Sequence, residues 1–167
     1  MLIQGAWNAV VDADPLDVSL KDLAATAGVS PSLFHRHYAS RSALFAEVAA
    51  AGLATLLVNL SDEPDLEGVV SSWIRFADAR PRHYALMFSP EYAEHDGVGL
   101  RRDALARSLG EFAAPHLPRA PTRAEIFTLY AMIHGAAALV ASGVPRPPNQ
   151  VVVQAIEGYL AGLAQSS

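Results

Sequence analysis

Apolar residues recur every three or four positions through most of this chain, which is the spacing of one face of an α-helix. The run that begins at Ser19 shows this spacing at Leu20, Leu23, Ala24 and Ala27. No stretch alternates apolar and polar residues as a half-buried strand would. The pattern therefore predicts an all-α fold.

Start and stop signals divide the same run into two short helices. Ser19 can cap the first helix, with Asp22 three residues later as in a capping box. Gly28 follows where a left-handed backbone is needed to end that helix, and Ser30-Pro31 is a second start signal. Two short helices joined by a tight turn are typical of a DNA-binding helix-turn-helix. An ordinary helical hairpin gives the same pattern, so both interpretations stay open at this point.

Further helices follow, separated by proline and glycine. We predict them from Arg41 (capped by Ser40) to about Leu60, from Asp65 to Arg80, from Leu100 to Ala114, from the Thr122–Glu125 capping box to about Ser142, and from Asn149 or Gln150 onward. Residues 83–88 are expected to form a short apolar turn after Pro81, and residues 97–99 a flexible loop.

Composition limits the possible functions. The chain has 167 residues, 51% of them hydrophobic, and a mean hydropathy of +0.21, which indicates either a large core or apolar surface buried in a partner. The net charge of -5 means that any nucleic-acid affinity must come from a local patch. With no cysteine, disulfides and thiolate sites are excluded. No apolar stretch comes close to the length of about 20 residues that spans a membrane, so we expect a cytoplasmic protein without a membrane partner.

An enzyme is not indicated. The six histidines are His35, His37, His83, His95, His116 and His134. None of them forms the His-x-x-x-His or Glu-x-x-His spacing that metal sites in helical bundles need. No Gly-x-Ser-x-Gly elbow or phosphate-binding glycine loop occurs. We expect no catalytic site, no metal and no other cofactor.

The N-terminal part resembles a known family. The motif residues are Ala24, Gly28-Val29-Ser30, the run from Leu33 to Tyr38, Ser40-Arg41 and Leu44. Through these motif residues, the stretch 6–48 resembles the N-terminal domain of the tetracycline-repressor (TetR) family. The resemblance implies a helix-turn-helix DNA-binding domain over residues 1–46 and a helical regulatory domain, for ligand binding and dimerisation, over residues 47–167.

The resemblance also implies which residues would meet double-stranded operator DNA. They are Ser19, Lys21, Ser30, Pro31, Ser32, Phe34, His35, Arg36, His37 and Arg41. Of these, Pro31, Ser32, His35 and Arg36 would face the major groove, while Phe34, His37 and Arg41 would clamp phosphates.

Three features indicate modest affinity for DNA. Phe34 stands where the family usually has tyrosine, and no basic arm precedes Met1 in this chain. Up to Ala50 there are three cationic residues against five acids. Because phosphate neutralisation supplies most non-specific affinity, we expect weak, salt-sensitive binding that depends on a dimer.

The second half carries its own resemblance. Residues 85–91, ALMFSPE, resemble a segment of a TetR ligand-domain subgroup named for a Trp…His-Gly signature, which would fall at Tyr130 and His134-Gly135. This implies an effector pocket, and the aromatic residues of the second half suggest that the effector is a small apolar or aromatic molecule. Candidate pocket residues are Trp73, Phe76, Tyr84, Met87, Phe88, Phe112, Phe127, Tyr130 and His134, although an aromatic stripe at helical spacing also suits a core.

The last two helices are rich in small residues. These are Gly135, Ala136, Ala137 and Ala138, then Ala155, Gly158, Ala161 and Gly162. Small residues let helices approach closely, so we expect a homodimer through these helices, with tight packing inside one chain as the alternative. The resulting hypothesis is a one-component transcriptional repressor released from DNA by an effector. The alternative is a helical adaptor that has lost DNA binding.

Overall fold

The computed structural model describes residues 2–12, 19–26, 28, 30, 32 and 36–165, with backbone alone at positions 2, 11, 12, 20 and 26. The described residues form eight α-helices of seven residues or more and no strand, which confirms the predicted all-α fold. In chain order these are α1 (Leu2–Asp12), α2 (Leu20–Thr26), α3 (Arg41–Ser61), α4 (Leu66–Ala79), α5 (Pro81–Met87), α6 (Asp96–Ala113), α7 (Arg123–Ala141) and α8 (Asn149–Gln165).

Several predicted helix boundaries are confirmed by side-chain caps. The carboxylate of Asp65 accepts a hydrogen bond from the backbone N–H of Gly68 at 2.8 Å, at the start of α4. At the start of α7, the hydroxyl of Thr122 accepts from the N–H of Glu125, and the Glu125 carboxylate accepts from the N–H of Thr122. After α7 the chain turns at Gly143, whose φ of +93° is left-handed. The local start and stop signals therefore define these helices.

An ion pair reinforces the capping box of α7. The Arg119 guanidinium donates two hydrogen bonds to the Glu125 carboxylate, at 2.8 and 3.0 Å. This hydrogen bonding, followed by the bond from the Thr122 backbone, lowers the pKa of Glu125 from its ordinary 4.5 to about 2. Because the folded-state pKa is lowered, the pair stabilises the fold above about pH 4.5, and this contribution is lost as the pH falls towards 2.

We therefore expect Glu125→Gln to lower the melting temperature at pH 7 and to make stability less dependent on pH between about 4.5 and 2. Thermal unfolding followed by circular dichroism at several pH values measures both effects. The exposed Glu111→Gln variant is the matched control, since it removes the same charge outside this capping box. Equal melting temperatures of the two variants at every pH would contradict the assignment.

Two predicted irregular segments are helical, so those two predictions were wrong. Residues 83–87 belong to α5, which begins at Pro81, where proline has a suitable φ and its missing N–H costs nothing. Residues 97–99 lie in the first turn of α6, because Asp96 favours the helix N-terminus and Val98 is fully buried. Burial of an apolar side chain outweighs the cost of about 1 kcal/mol for each helical glycine.

By their internal contacts, the residues form two compact units. The first comprises Met1–Thr55 together with Arg82–Arg101, and the second comprises Leu56–Pro81 together with Arg102–Ser167. A functional boundary between residues 46 and 47 remains a prediction. The first unit combines the helix-turn-helix segment with twenty residues from the middle of the chain.

Each unit has its own core. In the first, α1 packs on α2, and Ala6, Val10 and Leu23 are buried. In the second, α4 packs against α7 and α8, and Trp73 and Ile133 are fully buried. The apolar face of α4 is thus part of this core.

Candidate DNA-binding and regulatory sites

The first predicted DNA-binding residues lie at the start of α2. The Ser19 hydroxyl accepts a hydrogen bond from the backbone N–H of Asp22 at 3.1 Å and donates to the Asp22 carboxylate. Ser19 and Lys21 are both exposed. The cap fixes the first turn of α2, and both side chains are accessible to a ligand.

The turn after α2 has the backbone that the sequence requires. Gly28 has a φ of +66°, which is the left-handed region that glycine adopts without strain. Beyond it, the exposed hydroxyls of Ser30 and Ser32 lie 2.9 Å apart. Pro31, Phe34 and His35 lie outside the described residues.

The described end of the candidate recognition segment carries positive charge. Arg36 and His37 have helical backbone and exposed side chains. Tyr38, which follows, is half-buried, and its pKa is raised first by burial and then by the negative charge of Glu47. The tyrosine ring therefore belongs partly to the packing of this unit, while the two preceding side chains face solvent.

The start of α3 supplies a phosphate-binding candidate. The Ser40 hydroxyl accepts a hydrogen bond from the backbone N–H of Ala43 at 3.1 Å, which confirms its predicted cap. Arg41 lies in the first turn of α3 and is partly exposed. A helix N-terminus carries partial positive charge from its unpaired N–H groups, so the guanidinium and the helix end reinforce each other toward an anion.

The predicted effector-binding residues are not all brought together. The rings of Trp73, Tyr130 and His134 form one cluster in the second unit, with centroids 5.7 Å apart for the first pair and 5.8 Å for the second. Tyr84 and Phe88 pair at 4.7 Å in the first unit, where Met87 is also buried.

The other three candidates occupy separate places. Phe76 is buried, and the Arg80 guanidinium lies 5.3 Å from its ring. Phe112 lines a cleft of about 430 Å³ together with His116. Phe127 is 70% exposed and lies on the outer face of α7. The aromatic residues therefore do not form a single cage within either unit.

The two ionisable rings of the cluster in the second unit have shifted pKa values. Burial raises the pKa of Tyr130 to about 12, and the positive charge of Arg102 opposes that rise. Burial, and then Arg102, lower the pKa of His134. Both rings are thus neutral at pH 7, beside one guanidinium. Arg102 was not predicted as a site residue, because it follows Arg101 and the sequence does not show which of two adjacent arginines acts on the cluster.

The outer faces of α7 and α8 are apolar. On α7, Phe127, Ala131 and Leu139 are exposed, at 70% for the phenylalanine and 56% for the leucine. On α8, Val151 is 56% exposed, and Ala155 and Gly158 are exposed on the same face. With half-buried Gly135 between Ala131 and Leu139, the positions on each helix recur every three or four residues, so each helix carries a continuous apolar stripe.

The glycines in these stripes are not required by packing inside the chain. A Cβ atom added at Gly135 or Gly158 would meet no atom within 4 Å. By contrast, a Cβ atom added at Gly110 would lie 2.9 Å from the Ile126 side chain. Tight packing within one chain, the alternative left open by the sequence, therefore does not explain Gly135 or Gly158.

Metal ligands and membrane-spanning helices would mark other classes of protein. Among the described residues, no group of three or more His, Asp or Glu side chains could hold a metal ion. Two helices, α3 and α7, are long and apolar enough in composition to cross a membrane, so the prediction that no apolar stretch comes close to that length was wrong. Core helices of a soluble protein pass the same test.

The residues from α2 to α3 and the second helical unit define a class of protein. A helix-turn-helix regulator has a capped short helix, a glycine turn, an exposed basic segment and a long following helix, joined to a helical regulatory domain. The described residues contain each of these parts. Two family models match the chain: "Bacterial regulatory proteins, tetR family" over residues 2–48, and "Tetracyclin repressor-like, C-terminal domain" over residues 66–162. The chain belongs to the TetR family of transcriptional regulators.

Solved structures agree with this fold. A protein of unknown function from Rhodococcus sp. RHA1 is 24% identical, with a TM-score of 0.73 over 98% of this chain and 94% of that one. The fatty acid degradation regulator FadR from Bacillus halodurans is 9% identical, with a TM-score of 0.71 over 96% and 92% of the two chains. The TetR-family regulator PfmR from Thermus thermophilus is 14% identical, with a TM-score of 0.62 over 98% and 97%. No curated protein matches the chain.

Family membership also bears on the general class of the protein. TetR-family regulators are DNA-binding proteins rather than enzymes, and they are soluble. The apolar helices α3 and α7 are accordingly helices of a soluble domain.

Proposed function

We propose that this protein is a one-component transcriptional repressor that binds operator DNA as a homodimer and is released by a small apolar or aromatic effector in the cytoplasm. The observation that carries the proposal is the geometry of the described residues between Ser19 and Arg41. A capped α2 is followed by a glycine turn with φ of +66° and by exposed Arg36 and His37. Such a segment presents its second helix to the major groove.

The roles of the DNA-binding residues are those that the family resemblance implies. Arg36 is exposed on the candidate recognition segment and is assigned to base edges, together with Pro31, Ser32 and His35. Arg41, at the N-terminus of α3, is assigned to a phosphate, because a guanidinium offers a bidentate fork to phosphate oxygens. Ser19, Lys21, Ser30, Phe34 and His37 are assigned to backbone contacts that fix the register.

The local charge makes one copy a weak binder. Lys21, Arg36 and Arg41 are offset by nearby acids, including Asp22 and Glu47. Because non-specific affinity scales with the number of neutralised phosphates, a single copy gains little. Two copies on a two-fold axis double the contacts and read a palindromic site.

The apolar stripes of α7 and α8 are the proposed dimer interface. Phe127 and Leu139 on α7, and Val151 on α8, are large exposed apolar side chains that water solvates poorly. Gly135 and Gly158 leave room for the backbone of a second copy to approach. Paired stripes from two copies make a four-helix interface.

The proposed effector site is the cluster of Trp73, Tyr130 and His134. It combines a fully buried indole with two neutral polar rings beside Arg102, which suits an apolar or aromatic molecule with few polar groups. An effector that binds one arrangement of the helices better than another shifts the protein toward that arrangement. Release from DNA then follows from the difference in affinity.

We expect Tyr130→Ala to raise the inducer concentration needed for half-release of operator DNA by roughly tenfold or more, because truncation removes apolar contact area in the cluster. Operator release followed by fluorescence anisotropy measures this concentration. Phe112→Ala is the control, since Phe112 lines a different cleft. A wild-type response from Tyr130→Ala would assign Tyr130 to the core alone.

The direct test of DNA binding is an anisotropy titration with the promoter DNA that flanks the protein's own gene. Specific binding that is weakened by Arg36→Ala and by Arg41→Ala supports the repressor. Absence of binding at low salt by the full-length protein would favour the helical adaptor.

A further inference from the structure

A segment from the middle of the chain is built into the same compact unit as the helix-turn-helix. Residues 82–101 belong to the unit that contains α1, α2 and most of α3. This segment includes α5 except for its first residue, Pro81, and α5 is separated from α4 only by Arg80. Since α4 carries Trp73 of the proposed effector site, α5 is the next element along the chain from that site.

His83 on α5 forms a hydrogen bond to α1. Its side chain is 3% exposed, and its Nε2 atom lies 2.8 Å from the backbone carbonyl oxygen of Trp7. A carbonyl oxygen only accepts hydrogen bonds, so Nε2 carries the hydrogen and donates. The imidazole also stacks on the Trp7 indole, with ring centroids 4.0 Å apart and planes tilted by 33°. One buried side chain thus holds α1 by both its backbone and its largest ring.

The indole of Trp7 is held from a second side. A Cβ atom added at Gly52 of α3 would lie 3.1 Å from the Trp7 ring and 2.7 Å from the sulfur of Met87 on α5. Gly52 therefore allows α3, α1 and α5 to meet at the Trp7 ring. Such a close-packed junction has little room to adjust without moving a helix.

Two polar contacts join the same segment to α3. The Ser42 hydroxyl donates a hydrogen bond to the Glu91 carboxylate at 3.0 Å, and His95 Nε2 lies 3.6 Å from the Glu47 carboxylate. Ser42 is next to Arg41, the proposed phosphate contact. The segment 82–101 therefore contacts both the first helix of the DNA-binding unit and the start of α3.

We propose that His83 is a positioning residue that fixes α1 against α5 and thereby sets the spacing at which a dimer presents its two recognition segments. The proposal rests on the proposed function, because spacing matters only if two copies read one operator. Since α1 packs on α2, a shift of α1 carries the helix-turn-helix with it.

The test compares His83→Ala with His83→Gln on three operators: the native one and two with one base pair inserted or deleted between the half-sites. His83→Ala loses the donor and the ring. We expect its affinity for the native operator to fall about tenfold, as the loss of a buried hydrogen bond predicts. The difference between its affinity for the native operator and its affinity for the two altered operators should become smaller. The glutamine amide can still donate to the Trp7 carbonyl, so His83→Gln should recover part of that difference.

A matched variant separates positioning from stability. Val98→Ala removes buried apolar volume from the same unit and should lower the melting temperature while keeping the spacing preference. If His83→Ala does not fold, Gly52→Ala makes the same comparison, because the added methyl group would press on both the Met87 side chain and the Trp7 ring. The positioning role is overturned if His83→Ala prefers the native half-site spacing as strongly as Val98→Ala does. The same criterion applies to Gly52→Ala if it is used in place of His83→Ala. Failure of the wild-type protein to bind any operator overturns the proposed function itself, which is a distinguishable result.

Discussion

Replacement of Arg36 with alanine is expected to lower the affinity for operator DNA by at least about thirtyfold. A side chain that contacts a base edge contributes about 1–3 kcal/mol, and a dimer carries two copies, so the loss is about 2 kcal/mol or more. Arg36 is exposed on the candidate recognition segment. The melting temperature should therefore change little, and the loss should be largest for the native operator sequence. Anisotropy titrations on native and scrambled DNA measure both the affinity and its sequence dependence.

Arg41→Ala is the informative comparison for that variant. A phosphate contact is independent of sequence, so this variant should weaken native and scrambled DNA by the same factor. It should also reduce the slope of log affinity against log salt concentration by about 1 for each copy. Equal behaviour of the two arginine variants, on both DNA sequences and in salt dependence, would contradict the assignment of Arg36 to bases and Arg41 to a phosphate.

Gly158→Leu is expected to abolish the dimer and, with it, operator binding. Within one chain a Cβ atom added at this exposed position meets no atom within 4 Å, so we expect helix α8 to tolerate a larger side chain there. Replacing a helical glycine with leucine even stabilises an exposed helix, by somewhat less than the roughly 0.8–1.0 kcal/mol that separates glycine from alanine. In the proposed interface the same side chain holds the two helix backbones apart. Sedimentation velocity measures the oligomeric state, and thermal unfolding measures the stability of the resulting monomer.

Gly99→Ala is the control for the effect of helix propensity. Gly99 also lies in a helix, α6, and an added Cβ atom there meets nothing within 4 Å. This variant should gain helix stability and remain a dimer that binds DNA. If Gly158→Leu also remains a dimer, the interface does not include the outer face of α8.

The sequence was sufficient where a structure depends on neighbouring residues. Ser19, Gly28 and Ser40 act through hydrogen bonds or backbone angles within four residues, and the structure confirms each of them. The same is true of the Thr122–Glu125 capping box. Such signals predict the helix boundaries and, through them, the candidate DNA-binding segment.

The sequence was insufficient where burial depends on distant elements. Gly97 and Gly99 suggested a loop, but burial of Val98 in the first unit keeps them helical. Phe127 and Tyr130 lie only about 60° apart around α7. The periodicity could not show that Phe127 is exposed while Tyr130 packs against Trp73. That difference depends on where α4 packs, which is a property of the tertiary structure.

The central claim, that two copies of this chain read one operator, is tested most directly by the stoichiometry of the complex. Labelled promoter DNA from the protein's own gene is titrated at about 50 mM salt, where phosphate contacts are strong, and the mass of the complex is measured by sedimentation. We expect two chains on each duplex, and no stable complex with the Gly158→Leu variant. A specific complex that contains one chain, or no complex with any promoter fragment at this salt concentration, would contradict it.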